Sequence, residues 1–177
     1  MDFLDELEKA VFFFDGALVT SGHRNPAWGT SDFTLIGLPD KANPGAWSEL
    51  YEDKIARAKI EADRYEKIAE GIRKAKAEAL RNRYTLQVYE QTNNLQNYPV
   101  RLILALNDYD TAKDETARRA ALETVAEVCD YFDVMRADLE SVYSKTRFMQ
   151  QPEGFISDLN HHNLSLIHIS EPTRRVV

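Results

Sequence analysis

Residues 116–143 read TARRAALETVAEVCDYFDVMRADLESVY, and within them Ala121, Val125, Val128, Phe132, Met135, Leu139 and Val142 recur at spacings of four, three, four, three, four and three. Apolar positions at that alternation, with charge between them, make one face of an amphipathic helix that needs helical partners. Tyr51, Ile55, Ala58, Ala62, Tyr65, Ala69 and Ile72 keep the same alternation upstream. Two such seams imply a bundle, so the fold class is all-α.

The remaining segments fit around these two. Asn43 and Pro44 are a helix start, the asparagine as cap and the proline at the first helical position, where its missing N–H costs nothing. The helix they open runs over 44–80, with Gly71 as its weak point. A third spans 82–110 with Leu86, Tyr89, Leu95, Leu102, Ala105 and Tyr109 inward, and Pro99 is expected to kink it near Leu95 rather than end it. A fourth spans 111–147, with Thr111 as cap and Asp114 returning the bond three residues on. Asp2 to Leu18 reads most simply as a shorter first helix, although Ala10 to Phe14 would also serve as a buried strand. Thr20 to Asn43, rich in Gly, Pro, Ser and Asn, reads as one long ordered loop with at most a short extended piece. The expectation is an elongated antiparallel bundle of three long helices and a shorter N-terminal one.

Composition narrows the function. The 177 residues carry 29 acids against 22 bases, interleaved along the helices, which argues against nucleic acid and anionic membrane surfaces as partners. No apolar run approaches a membrane span, and the charged opening from Asp2 to Lys9 is unlike a signal peptide, so either the protein is cytosolic or its true N-terminus is missing. The single cysteine, Cys129, lies on or beside the apolar stripe and reads as a small buried hydrophobe.

The last stretch, Ser165 to Val177, opens Ser-Leu-Ile-His-Ile-Ser-Glu-Pro-Thr-Arg-Arg and looks like in-frame translation of a sequencing adapter, as found at the ends of metagenomic gene predictions. The alternative is a native terminal extension. Residues 1–164 are therefore taken as the helical domain and 165–177 as an artefactual tail.

Chemistry-bearing residues are few. His161 and His162 are adjacent, without the spacing that zinc wants on a helix, so neither a metal nor a cofactor is called for. His23, Arg24 and Asn25, with Trp28 close behind and Trp47 further on, mix a cation, an amide and aromatics as a sugar or carboxylate contact would; the alternative is that the tryptophans anchor the loop on the bundle. Gln87, Gln91, Asn93, Asn94, Gln96 and Asn97 crowd amides onto one helix, suiting sugar hydroxyls or the backbone of an abutting domain. Asn93, Asn94 and Asn97, with the multi-faced apolar run Phe12, Phe13 and Phe14, are expected at an interface with a missing domain. The acidic pairs Asp5–Glu6 and Asp114–Glu115 lie where helices open, where carboxylates favour the macrodipole. No phosphate loop, nucleophile elbow or Cys/His pair is present.

A set of short words carries a family resemblance: Asp15-Gly16-Ala17, Ser21 to Pro26, Gly29-Thr30-Ser31, Leu38-Pro39-Asp40, Pro44 to Ser48, Asn82-Arg83-Tyr84, Tyr98-Pro99, Thr146-Arg147-Phe148 and Asn160-His161-His162. Through them Met1 to Leu164 resembles the helical C-terminal region that follows the catalytic barrel in large bacterial family 20 glycoside hydrolases, β-N-acetylhexosaminidases of the Bacteroidota type. The resemblance implies a parent enzyme of carbohydrate metabolism that removes terminal β-linked N-acetylhexosamine, the substrate's own acetamide attacking the anomeric carbon. It implies a periplasmic or extracellular location and a catalytic barrel of the same parent chain as partner. The family's Asp-Glu pair at a barrel strand end has no counterpart here, so no catalytic residue is carried over. A helical carbohydrate-binding module and an interaction bundle unrelated to sugars are the competing expectations.

Overall fold

A computed structural model describes residues 3–13, 15–25 and 30–146, with the backbone alone over 21–25 and 30–33. In chain order the elements are α1 (Phe3–Lys9), β1 (Val19–Asn25), β2 (Thr30–Leu35), α2 (Ala46–Leu50), α3 (Glu52–Glu78), α4 (Arg83–Asp110) and α5 (Glu115–Ser144). The fold is an all-α bundle with one minor antiparallel strand pair. At 1.5 Å per residue the three long helices extend about 40–45 Å each.

The apolar seams do the packing. Ala121, Val125, Val128, Phe132, Met135 and Val142 are buried along α5 with Cys129 beside them, while Leu139 is half-buried. On α3 the buried face is Ile55, Ala58, Glu61, Tyr65, Ile68 and Ile72, which admits Ile68 and an acid where the repeat places Ala62 and Ala69. Helix α4 packs against both neighbours, and α3 and α5 meet chiefly through it. The antiparallel pairing shows in the side chains: Tyr84 bonds Thr146, Gln87 bonds Lys145, the Tyr98 ring lies 5.1 Å from Phe132, and Arg101 lies over Tyr131. As α4 advances, its partner on α5 retreats.

This central position explains why α4 is buried on more than one face. Leu102 and Ala105 are interior as expected, whereas Leu86, Tyr89, Leu95 and Tyr109 are only half-buried and Gln91, Asn93, Gln96, Tyr98 and Val100 are inside instead. Pro99 lies within α4 without ending it.

Several boundaries differ from the sequence expectation. The first helix stops at Lys9, and the Ala10–Leu18 segment turns, since Phe12 enters the core and Gly16, at φ 76°, adopts a left-handed conformation that leads the chain into β1. The long loop is largely the β1–β2 hairpin, with Asn25 opposite Thr30 and a bulge at Thr20, whose hydroxyl donates to the Thr34 carbonyl at 3.0 Å. The helix expected over 44–80 is two helices, α2 and α3, broken at Tyr51 (φ −112°, ψ 25°). Asn43 and Pro44 do not open it: Gly45, left-handed at φ 88°, precedes α2. The fourth helix starts at Glu115, with Asp114 as cap accepting from Ala117 N at 2.8 Å, while the Thr111 hydroxyl bonds back to Asn107 O at the end of α4. Gly71, far from being a defect, is a seat: Phe3 of α1 lies against it and meets the Tyr89 ring edge-on.

Candidate functional site

His23, Arg24 and Asn25 lie in β1 at the end remote from the bundle, where Asn25 pairs with Thr30, Arg24 with Ser31 and His23 with Asp32. Trp28, Phe14, His161 and His162 lie outside the described residues. The strand base is fixed by Val19 N donating to Gly16 O and Ile36 N to Leu18 O, with Leu18 and Ile36 both buried. Seven residues at about 3.3 Å each put the far end of β1 about 20 Å along the ribbon from that base.

Trp47 belongs to the base, not to the far end. It is buried, its indole Nε1–H donates to Gly37 O at 2.6 Å, and its ring is tilted on Tyr51 with centroids 5.0 Å apart. The Tyr51 hydroxyl accepts from Gly37 N at 3.1 Å. The substrate-contact expectation for Trp47 is therefore corrected to the anchoring one, and Trp47 does not join His23, Arg24 and Asn25. Below it, α2 has no cap from its own chain neighbours; Asp110, at the end of α4 and itself buried, supplies one by accepting from Ser48 N at 2.8 Å through Oδ2, while its carbonyl accepts from Gly45 N.

The amides of α4 work inside the chain. Gln96 Oε1 accepts the backbone N–H of Phe13 at 3.1 Å, and Asn93 Nδ2 donates to the carbonyl of Tyr65 on α3 at 3.3 Å. Amides do meet an abutting backbone, but it is the chain's own. Asn93 is buried and Phe12 is buried with Arg57 over its ring at 4.9 Å, so neither is free for the interface expected of them; Phe13, Asn94 and Asn97 are half-buried.

The most concentrated electrostatics lie under α1. Arg64 donates to Glu6 Oε2 through Nε at 3.1 Å, to Glu61 Oε1 through Nη1 at 2.6 Å, and to the Lys9 carbonyl. Partial burial works against ionising Glu6, but the Arg64 bond and the Lys9 charge outweigh it and hold its pKa below the usual value. Burial likewise works against the Arg64 charge, and Glu61 and then Glu6 overturn it, raising the guanidinium further. Burial and then Glu61 push the Tyr65 phenol up. Lys54, whose ammonium donates to Gly16 O at 3.0 Å, is lowered by burial and then by Arg57. Two carboxylates thus converge, but on a cation that occupies both, which is an arrangement for joining elements rather than for transferring protons to a substrate.

The acids that open α5 read alike. Asp114 caps α5 and Glu115 pairs with Lys41 and Arg118. Among the described residues no group of three or more His, Cys, Asp or Glu is placed to hold a metal ion, and no helix is long and apolar enough to cross a membrane. Asp110, the Arg64–Glu6 bond and Gln96 escape a sequence reading because the partners are distant in the chain, whereas Glu61 and Arg64 stand three apart on α3; that spacing and the amide density around Gln96 are the available signals. No family model, curated protein or solved structure matches the chain.

Proposed function

We propose that this chain is the non-catalytic helical region of a β-N-acetylhexosaminidase, packing on a catalytic barrel and offering the β1–β2 hairpin toward glycan. The observation that carries the non-catalytic half is the employment of the polar side chains: Asp110, Asp114, Glu6, Asn93 and Gln96 each tie one element of the chain to another or close a helix end, and Glu61 holds the Arg64 that binds Glu6. Hydrolysis of a glycoside needs an acid at the leaving oxygen and a second group at the anomeric centre, both preorganised and open to substrate. Carboxylates held in caps and ion pairs do not supply that.

The glycan half rests on the sequence resemblance and on where His23, Arg24 and Asn25 fall. They occupy consecutive positions of a polar strand at the end of a ribbon that no helix packs along, among the described residues. The test is the chain itself, incubated with an aryl β-N-acetylglucosaminide and, separately, titrated with N-acetylglucosamine oligomers while backbone amide resonances are followed. No turnover is expected, with shifts confined to 19–35. Turnover lost in Asp5→Asn or Asp114→Asn would make the bundle an enzyme in its own right. An upstream reading frame without a strand ending in Gly-Asp-Glu, together with silent amides, would remove the hexosaminidase reading and leave an interaction bundle.

A further inference from the structure

The geometry points to the α2 corner as a latch that sets the direction in which the β1–β2 hairpin leaves the bundle. Gly37, two residues beyond β2, has both of its backbone polar groups held by side chains one helical turn apart: its carbonyl by the Trp47 indole and its N–H by the Tyr51 hydroxyl. A strand extension that would otherwise be free is thereby gripped at one residue by two rigid aromatic side chains, which lose little conformational freedom in doing so.

The grip is anchored in turn. Trp47 is the second residue of α2, and α2 is only five residues long, too short to hold its shape by its own hydrogen bonds. Asp110 stands in for the missing cap by accepting from Ser48 N, and the Asp110 carbonyl accepts from Gly45 N, so the end of α4 holds the first turn of the corner at two points. Asp110 Oδ1 and Ser48 Oγ, on the same two residues, are buried without a hydrogen-bond partner among the described residues, so the bond through Oδ2 is what holds the carboxylate in the corner. A two-stranded ribbon is marginal in water by itself. Here its principal contacts are between its own strands; Lys54 on Gly16 O and Arg57 on Asp15 tie the chain before β1 to α3, and the corner is what holds the chain beyond β2.

The latch stands independently of the glycan reading, because it is tested on the chain alone. Amide hydrogen exchange is measured for wild type, Tyr51→Phe, and Tyr51→Phe combined with Trp47→Phe. With the latch, the amides of Gly37 and of residues 30–35 exchange about fivefold faster in the single variant and faster again in the double, since each lost bond is worth that order of protection. Leu102 and Ile103, in the middle of α4, exchange at the wild-type rate. Hairpin amides that stay at the wild-type rate in Tyr51→Phe would overturn the latch. So would acceleration of Leu102 and Ile103 by the same factor, which would show general loosening. Should the double variant not fold, Tyr51→Phe, which removes one oxygen atom, decides the matter by itself.

Discussion

A carbon built in the Cβ position of Gly71 comes 2.5 Å from Cβ of Phe3, so α1 rests on α3 only because residue 71 has no side chain. The clash is with the root of the phenylalanine, not its flexible end, and relief requires the whole of α1 to move.

Gly71→Ala should therefore destabilise the chain by about 1–2 kcal/mol, overpacking outweighing the roughly 1 kcal/mol that alanine gains in helix propensity. In a Phe3→Ala background the same change should turn neutral or stabilising. Denaturant titration of the four proteins of this cycle measures the coupling, and equal effects in both backgrounds would show that Phe3 does not use the gap.

Phe132 and Tyr98 share one contact and should respond oppositely to truncation. Phe132→Ala empties a buried site between α4 and α5 and should cost about 3–5 kcal/mol. Tyr98→Phe removes a buried hydroxyl that has no hydrogen-bond partner among the described residues, and whose ionisation burial already opposes; it should be neutral or stabilising by up to about 1 kcal/mol. Midpoints of urea unfolding distinguish the two.

The ion pairs under α1 give a pH prediction. Glu6 has its pKa lowered on folding, so its pairing with Arg64 stabilises fully above the ordinary glutamate value of 4.5 and is lost as pH falls through the lowered folded value. Glu6→Gln should consequently be less stable than wild type at pH 7, and the gap should close toward pH 3. Glu70 and Glu115 are lowered as well, by Lys74 and Lys41, so both proteins lose stability in acid and only their difference reports Glu6. A gap that persists unchanged at pH 3 would assign the Glu6 effect to packing.

The bundle was legible because burial in α5 obeys a local rule: Val125, Val128, Phe132 and Met135 are inside for the same reason that they are spaced as they are. What stayed hidden depends on residues far apart. Nothing near Tyr51 announces that its hydroxyl will hold Gly37 or that its backbone will leave the helical region, so the sequence reads as a single helix over 44–80 where the structure has α2 and α3. Nothing near Gln96 announces Phe13, so the amides of α4 read as an outward face although Gln91, Asn93 and Gln96 are buried. His23, Arg24 and Asn25 read as loop because Gly, Ser and Asn mask the strand alternation, and the hairpin declares itself only through pairing with Thr30 to Asp32.

The Phe13–Gln96 bond closes over 83 positions, whereas α3 meets α4 and α4 meets α5 across short turns. On a ribosome the Ala10–Leu18 turn is made before its seat on α4, which emerges 83 residues and about 4–16 seconds later at ordinary rates of elongation. During that interval Phe12 can meet α3, through Arg57, but not the completed core. The segment around Phe12 thus waits longer for its partner on α4 than α3 does, and a chaperone has that time in which to bind it.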